Sequence, residues 1–261
     1  MTTGTRQVVT EETDGALWIR LDRPTRHNAL VPELIDDLEA ALDHAAGRGP
    51  AALVLTGNGA SFSTGGDIAG FLAHAGSPNA LLGYAEKLVG GLHAAILKLL
   101  SFPAPVLAAV NGPVTGGATG LVLAADMVAM AEQSFLQPYY SAVGFAPDGG
   151  WTALMPERIG TAKTLQIQYL NERICAEEAL ALGLATHVCP RSQLDNVVAQ
   201  WLGMLGAGFH STHRVTRKNV WDAERLATVR ARLDQEKSRF LELVIQPETL
   251  DGMKAFLQQR A

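Results

Sequence analysis

Two glycine-rich loops constrain the fold of this chain most strongly. In each, an apolar run leads into closely spaced glycines and then into a helical pattern: LVLTGNGASFSTGGDIAGF at residues 53–71 and VLAAVNGPVTGGATGLVLAAD at residues 106–126. Backbone amides at a helix start have no partner within the helix, and glycine lets a ligand approach them closely. Either loop can therefore bind an anion or a developing oxyanion, although tight helix packing explains a single such loop equally well.

Short apolar strands alternate with helices in the first half of the chain. Strands are predicted at residues 16–22, 51–57, 104–110 and 127–131, and helices at residues 32–46 and 79–100. This β-α-β order favours an α/β core with parallel strand pairs. After residue 150 the patterns are helical apart from the strand-like LATHVCP, and one helical stretch extends from 211 to 245. The sequence therefore predicts a core over residues 1–200 and a helical region over residues 201–261.

Charge and composition exclude several classes of partner. The net charge of −5 and the lack of a Lys/Arg block disfavour nucleic-acid and anionic-membrane partners. Two cysteines do not form a disulfide framework and are expected to be buried free thiols in a reducing compartment. The N-terminus lacks the pattern of a signal peptide, and no unbroken apolar segment is long enough to cross a bilayer. We therefore expect a soluble, cytoplasmic protein.

Familiar motifs for phosphates, nucleophiles and metals are missing from the sequence. It contains no GxxxxGK[ST], no GxSxG and no HExxH, and neither glycine loop has the spacing GxGxxG. The seven histidines are scattered along the chain rather than grouped as ligands. We therefore expect neither a metal ion nor a bound cofactor.

Five segments, in order, resemble the crotonase superfamily, the enoyl-CoA hydratase/isomerase proteins. They are LDRPTRHNAL, VLTGNGASFSTGGDI, PVLAAVNGPVTGGATGLVLAADMVAMA, GFAPDGG and ALALGLATHVCP. The resemblance extends from about residue 8 to residue 260. It implies an α/β spiral of ββα repeats, a helical C-terminal trimerisation region and acyl-CoA thioester substrates, in which coenzyme A is part of the substrate. A homotrimer or a dimer of trimers is the expected assembly.

The resemblance also assigns a role to the two glycine loops. In this family two backbone amides hold the thioester oxygen as its enolate forms, and by motif position they belong to Gly66 and Gly117. A bare amide is useful there because a side chain would keep the thioester carbonyl away. Losing one such donor typically lowers the rate by about 10² to 10³.

Two positions depart from the hydratases of this family. Hydratases carry a glutamate three residues after the oxyanion glycine and another directly after the proline of a QP pair. Here these positions are Gly120 and Tyr139. Hydration needs one group to activate water and another to supply a proton, so the sequence disfavours ordinary hydratase activity. Tyr139 and its neighbour Tyr140 are instead expected to contact the substrate.

A carboxylate appears slightly later, at Asp148 in GFAPDGGW. Isomerases of this superfamily place their single acid at this position, and the PD pair resembles their ring-epoxide isomerases most. One carboxylate can move a proton from C2 to C4, and apolar neighbours such as Phe145 and Trp151 are expected to raise its pKa. A helix N-cap is the structural alternative. Chlorobenzoyl-CoA dehalogenases use an Asp there as a nucleophile, but they carry Trp and Phe where this chain has Tyr140 and Gly66.

Coenzyme A contacts are predicted at three further residues. Arg26, in RPTRHNAL, can meet a phosphate, although an ordinary exposed arginine fits equally well. Asp67 resembles the loop acid beside the adenine pocket, for which holding the loop is favoured over touching the ligand. Phe256, in GMKAFLQQR, resembles a residue of the tail that covers the adenine from a neighbouring subunit. The basic residue usual three positions later is Gln259 here, with Arg260 following, which disfavours a phosphate contact.

These patterns together predict an acyl-CoA isomerase, with Asp148 as proton shuttle and with Gly66 and Gly117 as the oxyanion hole. A hydratase of the same family and a non-catalytic acyl-CoA-binding protein remain as alternatives.

Overall fold

Nine strands form two sheets in a computed structural model of the chain, which describes residues 6–259. The strands are β1 Val8–Thr13, β2 Ala16–Leu21, β3 Ala52–Gly57, β4 Val106–Val110, β5 Val114–Thr115, β6 Met127–Ala131, β7 Phe135–Gln137, β8 Ile174–Cys175 and β9 His187–Cys189. The large sheet has the order β1-β2-β3-β4-β6-β9, and β5, β7 and β8 form a small second sheet.

Parallel pairing dominates the large sheet, since every neighbouring pair from β2 to β9 is parallel. Only β1 pairs antiparallel with its neighbour β2. The central strands β3 and β4 are buried along their whole length, as expected for a sheet covered on both faces. The predicted α/β core with parallel strand pairs is confirmed.

Within residues 6–259, twelve α-helices surround the sheets. They are α1 Pro32–Arg48, α2 Ile68–His74, α3 Pro78–Leu100, α4 Thr119–Leu123, α5 Tyr140–Val143, α6 Met155–Ile159, α7 Thr161–Leu170, α8 Ala176–Ala181, α9 Leu194–Ala207, α10 His210–Val220, α11 Ala223–Val244 and α12 Pro247–Gln258. Helix α1 begins at Pro32, whose missing amide hydrogen is harmless at this position, and ends at Gly49 in the left-handed conformation.

Helix α3 is the central helix of the fold. It has the length and apolar composition of a membrane-crossing helix, so the expectation that no segment is long enough needs correction. Its ten buried side chains, from Leu81 to Leu100, belong to the protein core. The helix packs between α1 and α11 and thereby joins the N-terminal part of the chain to its C-terminal helices.

Some elements differ from the sequence-based expectations. Strand β1 was not predicted, and Asp14 and Gly15, both with positive φ, turn the chain from β1 into β2. The stretch 211–245 contains two helices because Asp222 caps α11, its carboxylate accepting a hydrogen bond from the amide of Arg225. Cys189 is buried as expected, but Cys175 is exposed. The boundary at residue 200 falls inside helix α9, and the division into two units stays a prediction.

Candidate active site

The two glycine loops lie side by side because they follow adjacent parallel strands. Strands β3 and β4 pair in register, and the loops after them continue this contact through a bridge between Ser63 and Val114. The amide of Thr115 donates to the carbonyl oxygen of Ser63 at 3.1 Å, and its hydroxyl donates to the carbonyl oxygen of Thr64 at 2.8 Å. The backbone therefore brings Gly66 and Gly117 to one site.

A cavity of about 320 Å³ opens beside these two glycines. All eight residues predicted from the sequence for catalysis or substrate binding line it: Gly66, Gly117, Asp148, Arg26, Asp67, Tyr139, Tyr140 and Phe256. They come from five separate parts of the chain. Their convergence makes this cavity the candidate active site.

The amide of Gly66 points away from the nearest backbone segment. Leu30 donates its amide hydrogen to the carbonyl of Gly65 at 2.7 Å and accepts one from the amide of Asp67 at 2.9 Å. In such a parallel bridge the flanking residues make the hydrogen bonds, so the amide of the central residue, Gly66, is directed to the other side. It is therefore not consumed by the contact with Leu30.

Gly117 lies in a 3-10 turn, Gly116–Ala118, where the first amides have no partner within the turn. The indole nitrogen of Trp151 donates to the carbonyl oxygen of Gly116 at 2.9 Å and anchors this turn. A Cβ atom at Gly117 would lie 2.9 and 3.0 Å from the two carboxylate oxygens of Asp148. The candidate oxyanion amide and the candidate proton shuttle are thus direct neighbours.

Asp148 is buried in the loop between α5 and α6 and does not cap a helix. The next helix, α6, begins only at Met155, and its N-cap residue is Leu154. The Asp148 carboxylate instead accepts a hydrogen bond from the hydroxyl of Tyr140, with 2.5 Å between Tyr140 Oη and Asp148 Oδ1. The helix-cap alternative is therefore wrong for this residue.

The surroundings of Asp148 favour its protonated form. Burial raises the pKa of its carboxyl from 3.8 to about 7; the Tyr140 hydrogen bond opposes this rise, and the negative charge of Glu236 adds to it. A carboxyl group with a pKa near neutrality can both accept and return a proton, which is what a proton shuttle needs.

The two tyrosines have different positions. Tyr140, expected to contact the substrate, lines the cavity but directs its hydroxyl to Asp148. Tyr139 has a left-handed backbone, with φ of 62°, and its amide donates to Oδ1 of Asn171 at 2.8 Å. Its ring packs edge-on against Phe256, with 5.6 Å between the centroids.

Phe256 reaches this cavity from helix α12 of the same chain. The resemblance implied that the tail covers the adenine pocket of a neighbouring subunit. Here the ring lies against Tyr139 of its own chain, and a contact with a neighbouring subunit stays a prediction. Arg260 lies outside the described residues.

Asp67 and Arg26 lie together at the cavity wall. Asp67 caps α2, accepting a hydrogen bond from the amide of Ala69 at 3.1 Å, and it forms an ion pair of 2.9 Å with Arg23. The guanidinium of Arg26 lies 3.6 Å from the same carboxylate, and its side chain is 55% exposed. Asp67 therefore holds the loop in place, whereas Arg26 remains accessible to a ligand.

Three phenylalanines line an apolar part of the cavity. The rings of Phe71, Phe145 and Phe240 contact one another, with centroid distances of 4.8 to 5.8 Å. Phe240, on α11, was missed by the sequence analysis because the helical pattern marks an apolar face but not the surface that it covers.

Position 120, where hydratases of this family carry a glutamate, has no room for a side chain. A Cβ atom at Gly120 would overlap the carbonyl oxygen of Gly149 and the side chain of Ile96. Close packing is therefore the reason for glycine at this position. Among residues 6–259, only Asp67 and Asp148 bring a carboxylate to the cavity lining, and no cluster of His, Cys, Asp and Glu suits a metal ion.

The chain is similar to known proteins along almost its whole length. Residues 11–261 match the family model described as Enoyl-CoA hydratase/isomerase. The chain is 32% identical, over 96% of its length and 94% of the relative's, to the "Probable enoyl-CoA hydratase" of Rhodobacter capsulatus. It is 30% identical to the "4-chlorobenzoyl coenzyme A dehalogenase-2" of Arthrobacter sp, over 76% of this chain and 71% of that protein.

A solved structure shows the same fold. The enoyl-CoA hydratase from Bacillus halodurans superposes with a TM-score of 0.89 and 25% identity, covering 95% of this chain and 99% of that one. The resemblance expected from the five sequence segments and the crotonase-type α/β fold are confirmed. This chain belongs to the enoyl-CoA hydratase/isomerase family.

Proposed function

We propose that this protein is an acyl-CoA isomerase that shifts a double bond in an enoyl-CoA thioester. The observation that carries the proposal is the buried carboxylate of Asp148, which lies beside Gly117 and has a pKa raised to about 7. One carboxylate that takes and returns a proton is sufficient for isomerisation.

The reaction uses one proton and no change in oxidation state. The Asp148 carboxylate takes a proton from C2 of a 3-enoyl thioester, and the electrons move toward the thioester oxygen. The amides of Gly66 and Gly117 stabilise the resulting dienolate. Protonated Asp148 then returns the proton to C4, while the electrons shift to form the C2–C3 double bond. No cofactor is required, and coenzyme A leaves as part of the product.

The substrate parts fit different regions of the cavity. We propose that the acyl group lies against the apolar wall formed by Phe71, Phe145 and Phe240. The coenzyme A end then passes Tyr139 and Phe256, and Arg26 is available for a phosphate. An apolar, uncharged acyl group matches this wall, because a buried charge there would have no partner.

The cavity lining disfavours a hydratase. Its second carboxylate, Asp67, is engaged by Arg23 and by the amide of Ala69, and Gly120 has no room for a glutamate. Water addition needs a separate group for each of its two proton transfers. Among the described lining residues, Asp148 is the only carboxylate that is not held in an ion pair, so a second acid–base group of this kind is missing.

Three substrates distinguish the possible activities. We expect the protein to convert a 3-enoyl-CoA into the conjugated 2-enoyl-CoA. Chromatography of the thioesters measures this conversion. Conversion of 2-enoyl-CoA into a 3-hydroxyacyl-CoA would instead show a hydratase. Release of chloride from 4-chlorobenzoyl-CoA would show a dehalogenase. Binding of all three without turnover would leave only an acyl-CoA-binding role.

A further inference from the structure

Glu236 is a buried acid on a helix that is far in sequence from the loop that carries Asp148. It lies on α11 and is 4% exposed. Its Oε1 accepts hydrogen bonds from the amide and the hydroxyl of Thr152, both at 2.7 Å, and from the amide of Ala153 at 2.9 Å. Its Oε2 accepts one from the amide of Gly150 at 2.8 Å. Four donors of the loop that follows Asp148 therefore converge on this one carboxylate.

The same loop is held from a second helix. His93, on α3, accepts a hydrogen bond through Nε2 from the amide of Gly149 at 3.2 Å. Gly149 and Gly150 both have positive φ, so the backbone turns sharply directly after Asp148. Side chains from α3 and α11 thus satisfy the amides of this turn, which lies outside any regular helix or strand.

An acid is an unexpected choice at this position of α11. The buried residues of the helix are Val229, Leu233, Glu236, Phe240 and Val244, so Glu236 occupies one place in an otherwise apolar stripe. Burying a charged group is unfavourable unless hydrogen bonds compensate it, and an apolar residue would fill the stripe without that requirement. The acid is explained by the loop that it binds.

We propose that Glu236 is a positioning residue for Asp148: it fixes the loop 149–153, and its negative charge acts on the Asp148 carboxylate. This inference rests on the proposed function, in which Asp148 carries the proton. It assigns a positioning role to α11, which belongs to the C-terminal helical region expected to mediate assembly.

The neighbouring charged groups leave Glu236 free to act electrostatically on Asp148. The groups that act on Asp148 are Tyr140 from α5 and Glu236 from α11. Burial lowers the pKa of His93 to about 4, with a further lowering by Lys237, so the imidazole is neutral near pH 7. Its Nε2 lies 3.7 Å from Glu236 without forming an ion pair. Burial raises the pKa of Glu236, and its hydrogen bonds from Gly150, Thr152 and Ala153 oppose that rise. The Glu236 carboxylate acts on Asp148 without compensation from His93, and it raises the pKa of Asp148.

The substitution Glu236→Gln tests the charge while keeping the shape of the side chain. We expect the titration midpoint of Asp148 to move to lower pH, beyond the scatter among repeats. It can be followed by the ¹³Cγ signal of labelled aspartates, assigned with Asp148→Asn. We also expect kcat on a 3-enoyl-CoA to fall by roughly 10- to 100-fold with little change in KM, because misplacement of a reacting group affects the chemical step. Glu242→Gln is the matched control: it removes the same charge from an exposed position on α11 and should change neither quantity.

Glu236→Asp tests the position while keeping the charge. The shorter side chain cannot keep all four hydrogen bonds, so kcat should again fall with KM nearly unchanged. If Glu236→Gln does not fold, Glu236→Asp provides the test by itself. A folded Glu236→Asp with the kcat of the wild type overturns the proposal. An unchanged Asp148 midpoint in folded Glu236→Gln also overturns it. A shifted midpoint in a protein that isomerises no thioester would support the contact and refute the proposed function instead.

Discussion

The hydroxyl of Tyr140 donates a hydrogen bond to Oδ1 of Asp148 at 2.5 Å, and the same hydrogen is shared with the carbonyl oxygen of that residue, at 2.9 Å. Two contacts to one residue fix both the side chain and the backbone of Asp148. The bond to the carboxylate favours its charged form and opposes the effect of burial on its pKa. Burial and the negative charge of Asp148 in turn raise the pKa of Tyr140, so its hydroxyl stays protonated and remains a donor.

Tyr140→Phe should move the acid limb of the pH–rate profile to higher pH. The variant removes the hydrogen bond that lowers the pKa of Asp148, so a higher pH is needed to form the carboxylate. The measurement is kcat/KM on a 3-enoyl-CoA from about pH 5 to about pH 9. Tyr169→Phe, at a side chain that is 72% exposed, is the control. A shift of the acid limb to lower pH would contradict the assigned direction.

Asp148→Asn should lower turnover by roughly 10² to 10⁴, the usual effect of losing a positioned acid–base group. Thioester binding should persist, because the amides of Gly66 and Gly117 are unchanged. Turnover assays and calorimetric titration with a non-reactive acyl-CoA check the two parts separately. A rate within about threefold of the wild type would discard Asp148 as the base.

The stability difference between Asp148→Asn and the wild type should depend on pH. The unfolded carboxyl ionises near 3.8 and the folded one near 7, so between these values the folded protein binds more protons. The stabilising contribution of protonated Asp148 is complete below pH 3.8 and is lost as pH rises through about 7. The melting temperature of the variant should therefore rise relative to the wild type over this interval. A constant difference would show that the carboxylate is not desolvated.

Gly117→Ala should abolish most of the activity. The added methyl group would lie 2.8 Å from Cδ2 of Leu92 and 2.9 Å from Oδ1 of Asp148, so the carboxylate must move. The same change at Gly203, where a Cβ atom meets nothing within 4 Å, is the matched control. Steady-state kinetics and circular dichroism should show an inactive, folded Gly117→Ala and an active Gly203→Ala. Full activity in both variants would remove Gly117 from the proposed site.

The protein should assemble as a trimer or a dimer of trimers. Large apolar side chains are exposed near the C-terminal helices, among them Met204 at 71% and Phe209 at 82%. Closed symmetry is the usual outcome for soluble assemblies of identical chains. Light scattering at micromolar concentration should give three or six times the chain mass of 27.7 kDa. A monomer under these conditions would refute the assembly.

Local patterns were sufficient for the strands of the large sheet other than β1 and for the two glycine loops. Strand β3 and helix α1 follow from apolar spacing, and Gly117 and Asp148 from motif position. The amides of Gly66 and Gly117 converge because adjacent parallel strands end at the same edge of the sheet, which the β-α-β order already implies.

The supporting residues could not be predicted in the same way. Glu236 and His93 lie on helices far from Asp148 in sequence, and helical periodicity does not say which loop a helix face will meet. One signal was available: an acid in an apolar stripe marks Glu236 as a residue with a buried partner. The partner, a set of backbone amides, could not be predicted, because every residue except proline carries such an amide.

The contact of Gly149 with Gly117 and Gly120 restricts how this site can change over evolutionary time. The loop that bears the acid occupies the volume that a glutamate at position 120 would need. A single substitution toward the two-acid arrangement therefore displaces the existing acid before the new one can work. A glutamate at position 120 is compatible with this fold only if the loop that carries Asp148 changes as well.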